Sequence, residues 1–236
     1  MDPSGDWPAW RNGACLLPAP RSLVRSGMDR MVELEGVEHI EAAYRRGQGM
    51  ITFTAHYGCW ELMAVYVTQR FPRVSMLVRP LDNPRLDALA TGVRRAGGGG
   101  VIDSARAFQE GLRGLRQNGI LGILVDQNFY KGGVFVDFFG RPAATSTLAP
   151  ILARRSGCAL LPMHNVWRNG RIRILCEPPL TLSAHRDVSR AVREDTQAVA
   201  RRVEAWIRED PSQWLWLHNR WKRRPPPEVD LEGKRR

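Results

Sequence analysis

The stretch ILGILV at residues 120–125 is apolar at every position. A strand with one solvated face shows a polar residue at every second place. This run is therefore read as an interior strand, covered on both sides. Similar β-prone runs recur at 50–54 (MITFT, led in by Gly47 and Gly49), 74–78 (VSMLV, ended by Pro80), 101–102 and 159–163. Residues 171–176 alternate, and they are expected to pair with 165–168 across the Asn169-Gly170 turn. Helical patterns fill the intervals: a stretch to about Gln69, then 84–96, stopped by Gly97 to Gly100. Another is capped by Ser104, carries Phe108, Leu112 and Leu115 at i, i+4 and i+7, and is closed by Gly119. Residues 147–155 read as helix. So do 187–209, where Val188, Val192, Val199, Val203 and Trp206 form one stripe and Pro211 ends it. Strands alternating with helices predict an α/β fold: a single layered domain with a central mixed, largely parallel sheet flanked by helices.

Composition sets the outer bounds. At 236 residues, with 43% hydrophobic and 25% charged residues, the chain can bury a substantial core, and wholesale disorder is excluded. The longest apolar stretch, 148–163, is interrupted by Arg154 and Arg155 and falls short of the ~20 residues a membrane span needs. No signal peptide is read at the N-terminus. Residues 1–27, with four prolines, read as a loosely ordered leader, 28–224 as the folded domain, and 225–236 as a Pro-rich charged tail.

Net charge is +11, carried almost wholly by Arg, since only Lys131, Lys222 and Lys234 are lysines. Guanidinium groups pair bidentately with phosphate and carboxylate, so an acidic partner is expected: nucleic acid, anionic lipid or an acidic carrier protein. An Arg-for-Lys bias from a GC-rich genome accounts equally well for the choice of Arg, though not for the net charge. The Arg residues are dispersed and no nucleic-acid-binding motif is present, so no nucleic-acid partner is expected. Four scattered cysteines without a C-x-x-C pair argue against a structural zinc site or a disulfide-rich scaffold, and the histidines show no ligand spacing, so no metal is expected. Neither G-x-G-x-x-G, G-x-x-x-x-G-K-[ST] nor G-x-S-x-G occurs, which removes the usual signals of nucleotide binding and serine hydrolysis.

In open α/β sheets, ligands gather at the carboxyl ends of strands. His56 and Asp126 both lie just beyond such ends. An imidazole there can take a proton from a hydroxyl if a carboxylate fixes its tautomer. Glu61, five residues on, cannot reach His56 along a straight helix, but Gly58 could let the chain fold the two together. With 5 His and 24 acidic residues, such a spacing arises about 0.5 times by chance, so position rather than spacing carries the weight. Arg79 follows the second strand, where it can bind phosphate or steady an oxyanion, or simply be an exposed strand-end charge. Asp126-Gln127 can orient a polar group or cap a turn. Arg141, in FFGRP, combines a potential anion anchor with aromatic neighbours. The segment WLWLHNRW at 214–221 either seals the core or meets a membrane interface; core packing with an interfacial edge is the favoured reading.

The segment GMITFTAHYGCWEL (49–62) resembles the H-x4-E signature of the bacterial lipid A biosynthesis acyltransferases. In the same order follow VRPLDNP (78–84), ILVDQN (123–128), FFGRPAATS (138–146) with LARRSG (152–157), and PSQWLWLHNRWK (211–222). Together they cover roughly 32–223. The resemblance implies a glycerophosphate-acyltransferase-like fold at the cytoplasmic face of the bacterial inner membrane. It implies transfer of a fatty acyl group from an acyl carrier protein thioester to a hydroxyl of a lipid A precursor, without a cofactor. His56 would be the general base and Glu61 its orienting partner, with Arg79, Asp126, Gln127 and Arg141 binding substrate. The implied partners are the acyl carrier protein, a glycolipid acceptor and an anionic membrane surface.

Two departures stand out. The family carries an upstream anchoring helix where this chain has only its leader, so peripheral attachment is expected. It also often reads H-F-G-N-W-E, where this chain has Tyr57 and Cys59. A phosphatidylinositol mannoside acyltransferase using acyl-coenzyme A and an inactive lipid-binding relative are the alternatives.

Overall fold

The computed structural model describes residues 28–79, 83–130, 132–169 and 171–226. The leader 1–27 and most of the expected tail lie outside the described residues. A short helix α1 (Met28–Met31) leads into β1 (Val32–Glu35) and α2 (Val37–Arg45). Then come β2 (Met50–Thr54), α3 (Trp60–Arg70), β3 (Val74–Val78), α4 (Pro84–Ala96), β4 (Gly100–Asp103), α5 (Ala107–Arg116) and β5 (Ile120–Leu124). The second half holds β6 (Val134–Phe138), β7 (Arg141–Thr145), α6 (Leu148–Ser156), β8 (Ala159–Arg168), β9 (Arg171–Cys176) and α7 (Val188–Glu209).

Seven strands form one sheet in the order β1-β9-β8-β2-β5-β3-β4, parallel throughout except for the antiparallel β8/β9 hairpin. The α/β expectation of a largely parallel sheet is met. β5 sits between β2 and β3, which explains why its sequence has no polar face. Side chains alternate across the sheet. Ile51, Phe53, Leu121, Ile123 and Leu160 face a core closed by α5, α6 and α7, while Met50, Ile120, Leu161 and Met163 face one closed by α2 and α3.

Local chemistry departs from expectation at several points. Asp103 rather than Ser104 caps the turn before α5, its carboxylate accepting the Ala105 N–H at 2.8 Å. Asn118, not Gly119, takes the left-handed residue after α5 (φ 58°), and its side chain is anchored to the Gly49 N–H and the Tyr44 carbonyl. Phe108 and Val188 are exposed rather than part of the buried stripes. The Gly-rich stretch after β5 contains a hairpin that the pattern did not announce. In it β6 and β7 pair through Phe138–Arg141 around Phe139 and Gly140, both at positive φ.

Of most consequence for the site is the bend after β2. Gly58 adopts φ 57°, and a Cβ placed there would lie 2.3 Å from the Asn165 carbonyl oxygen. Asn165, fully buried on β8, clamps the same bend by accepting the Cys59 N–H at 2.7 Å and donating to the Tyr57 carbonyl at 3.3 Å. Gly58→Ala combines left-handed strain with a backbone clash and should lower stability by about 2 kcal/mol or more. Urea denaturation followed by circular dichroism checks this; an unchanged midpoint would show that the bend can relax.

Candidate active site

β2 and β5 pair in parallel with Thr54 opposite Leu124. His56 and Asp126 each lie two residues beyond that pair, so the register alone delivers them side by side at the carboxyl edge. The Asp126 carboxylate is buried and satisfied from three directions. Its Oδ1 accepts from His56 Nδ1 at 2.8 Å, and its Oδ2 accepts from the His56 backbone N–H at 3.0 Å and the Trp214 indole N–H at 2.7 Å. Burial alone would raise the Asp126 pKa, but the His56 charge and these hydrogen bonds hold it below the usual carboxylate value. An ionised carboxylate can only accept, so His56 Nδ1 carries the proton and Nε2 presents its lone pair. The exposed Gln127 side chain lies against that nitrogen at 3.3 Å, its amide placed to donate.

Glu61 stands elsewhere than expected. It lies in the first turn of α3, but its carboxylate grips the Arg94 guanidinium of α4 through Nε at 3.0 Å and through Nη2. Asp126 already occupies the Nδ1 side of the imidazole, and Arg94, with its side chain only 11% exposed, needs a carboxylate. The orienting partner of His56 is thus Asp126, which the family resemblance sets among the substrate-binding residues, and Glu61 acts on the imidazole through its charge. Burial lowers the His56 pKa, but Asp126, by charge and hydrogen bond, and then Glu61 outweigh it, so the net shift is upward.

Arg79 is exposed just past β3, on the same carboxyl edge as Asp126. Arg141 is exposed at the start of β7, its guanidinium 5.0 Å from the centre of the Trp221 ring. The structure therefore brings His56, Asp126 and Gln127 into contact, keeps Glu61 within electrostatic reach, and sets the two arginines on the rim. Trp214 and Arg94 were missed as site residues. The aromatic run at 214–221 signalled the first; nothing in the sequence singles out Arg94 among so many arginines.

An apolar cleft, partly open to solvent, runs between α3 and the strands β2, β3 and β5. Met63, Ala64, Val67, Val74, Met76 and Met163 line it, with the Glu61–Arg94 pair on its wall. Trp60 lines the cleft too and meets the His56 ring edge-on at 5.2 Å, joining the cleft to the imidazole. Among the described residues, no group of three or more His, Cys, Asp or Glu side chains could hold a metal ion.

Removing the Asp126 charge tests this electrostatic arrangement. In Asp126→Asn the contributions that raise the His56 pKa are lost while burial still lowers it, so the imidazole should titrate at lower pH than in the wild type. NMR titration of the His56 ring protons reads this directly; an unmoved or raised pKa would exclude Asp126 as the controlling charge.

The family model for the bacterial lipid A biosynthesis acyltransferases matches residues 22–223. The chain is 28% identical over 205 residues to the phosphatidylinositol mannoside acyltransferase of Mycobacterium tuberculosis (strain ATCC 25618 / H37Rv), covering 85% of this chain and 62% of that protein. It is also 28% identical over 209 residues to the lipid A biosynthesis lauroyltransferase of Escherichia coli (strain K12), covering 83% and 63%. It thus spans about three fifths of the length of these relatives. Among solved structures, the 1-acyl-sn-glycerophosphate acyltransferase PlsC from Thermotoga maritima aligns over 79% of this chain and 78% of its own, with a TM-score of 0.44 and 14% identity. With a match that runs through most of its 236 residues, the chain belongs to the bacterial lipid A biosynthesis acyltransferase family.

Proposed function

We propose that this chain transfers a fatty acyl group from a carrier thioester to a hydroxyl of a glycolipid, with His56 as general base. The observation that carries the proposal is the pairing of buried Asp126 with the partly exposed His56, which adjoins an apolar cleft through Trp60. The unprotonated Nε2 of His56 takes the proton of the acceptor hydroxyl as its oxygen attacks the thioester carbonyl. Asp126 stabilises the imidazolium that forms, and collapse of the tetrahedral intermediate breaks the C–S bond. The imidazolium then returns its proton to the departing thiolate. Gln127 would yield its place at Nε2 to the incoming hydroxyl. No bound cofactor enters this cycle.

The cleft beneath α3, where apolar side chains dominate, is the proposed seat of the acyl chain. Arg79 and Arg141 are suited to acceptor phosphates, and Arg79 also to a developing oxyanion. A lipid A precursor with an acyl carrier protein donor is the leading assignment, placed at the cytoplasmic face of the inner membrane. The equal identity to the mannoside acyltransferase favours a second reading, an inositol mannolipid acceptor with acyl-coenzyme A.

The deciding experiment offers both donors and both acceptors in mixed micelles and reads acyl addition by mass spectrometry. Wild type should acylate one acceptor, and His56→Ala should be slower by roughly 10²–10⁴-fold with the fold intact. Comparable turnover by the two proteins would remove His56 from the chemistry. Addition only to the mannolipid from acyl-coenzyme A would replace the lipid A assignment. For the cleft, Ala64→Phe should shift the products of a mixed-donor assay toward shorter acyl chains. An unchanged product distribution would place the acyl chain elsewhere.

A further inference from the structure

Seven large hydrophobic side chains are exposed among the described residues: Leu89, Phe108, Phe129, Tyr130, Val188, Trp216 and Leu217. Three lie on separate helices. The other four sit on two loops that leave the His56–Asp126 pair together. One loop runs on from Asp126 through Phe129 and Tyr130. The other starts at Trp214 and carries Trp216 and Leu217, and its Leu215 N–H donates to the His56 carbonyl at 2.9 Å.

The loops are fastened to one another. Arg220, buried beneath them, donates to the Gln127 carbonyl at 3.4 Å and the Ala144 carbonyl at 2.6 Å. The Arg223 backbone N–H donates to Asn128 Oδ1 at 3.0 Å and its guanidinium to the Gly132 carbonyl at 2.8 Å, while the Lys222 ammonium lies 5.5 Å from the centre of the Tyr130 ring. Trp216 returns its indole N–H to the Pro211 carbonyl at 2.8 Å, which leaves the rest of its ring half exposed. Leu217 is 94% exposed. A lone exposed leucine has no meaning by itself, but two aromatics, an amphipathic tryptophan and a leucine on one fastened rim do.

We infer that this rim is a membrane-docking surface, in which Trp216 and Leu217 enter the headgroup–acyl boundary of an anionic bilayer beside the mouth of the site. The occupant follows from charge and side-chain type. Lys222 and Arg224 are exposed on the same segment, the chain is +11, and Trp with Tyr flanked by cations suits the interface of a bilayer carrying negative lipids. The inference rests on the proposed lipid substrate for its purpose, because a rim so placed would let an acceptor reach His56 from the bilayer.

Vesicle binding tests it without donor, acceptor or turnover. Phosphatidylcholine vesicles, with and without phosphatidylglycerol, are sedimented with wild type, His56→Ala, the double variant Trp216→Ser/Leu217→Ser, and Phe108→Ser. Wild type and His56→Ala should bind the mixed vesicles alike, and more weakly as salt rises. Phe108→Ser should match them, and the double variant should bind at least ~10-fold more weakly, the scale set by losing two inserted apolar side chains. Failure of wild type to bind, a double variant that binds normally, or an equal loss in Phe108→Ser would each overturn the docking surface. So would a double variant that keeps vesicle binding but loses an acidic carrier protein or changes oligomeric state, since the rim would then face a protein. A protein that binds as expected but transfers no acyl group would refute the catalytic reading and leave the surface standing.

Discussion

The carboxylate of Asp126 is the point to which the functional end of the molecule is tied. Three donors from two distant segments converge on it: the backbone and ring of His56 after β2, and the indole of Trp214 far along the chain. Each bond has a separate consequence. The backbone bond fixes where the chain leaves β2, the ring bond sets the tautomer, and the indole bond recruits the C-terminal segment as a wall of the site. A buried ionised carboxylate costs several kcal/mol in desolvation, repaid only when its lone pairs are well satisfied. Here they are, so the position and tautomer of the His56 ring are held by the fold itself, as the proposed role of a base would require.

The Glu61–Arg94 pair shows a different use of charge. Two ions on the wall of an apolar cleft are a poor choice for stability alone, since apolar residues of similar volume often do as well. Their placement gives another result: α3 and α4 are joined across the cleft, and Glu61 remains near enough to His56 to favour the imidazolium. A group can therefore act on a neighbouring imidazole through its field while its hydrogen bonds serve the scaffold.

The sheet was largely legible because its central strands are long apolar runs that have no alternative to burial. His56 was legible for the same reason, since it follows such a run. Its partner was not. Sequence spacing favours the near carboxylate, Glu61, while the register of β2 against β5 selects Asp126, 70 positions away, and register is a property of the folded sheet. Likewise the β6–β7 hairpin is built from RPAAT, which lacks β-branched alternation until its end, and its pairing is enforced by the buried faces of Phe138, Ala143 and Ala144. Asn165, which clamps the Gly58 bend, looks in sequence like any polar residue in a strand.

The segment after α7 joins these themes. Arg220 is only 1% exposed, and burial pushes its pKa down to about 10 even with Asp126 favouring the charge. It remains cationic at neutral pH, and its guanidinium reaches the carbonyls of Gln127 and Ala144 and the hydroxyl of Thr145 beneath the Phe138 ring. A lysine could not make that planar set of contacts. Because Arg220 anchors the segment from below, the residues just before it are free to divide their duties: Trp214 turns inward to Asp126, and Trp216 and Leu217 turn outward. The tryptophan-rich run is thus neither core nor surface alone. It is a strap whose inner face completes the hydrogen bonding of Asp126, and whose outer face is exposed to solvent.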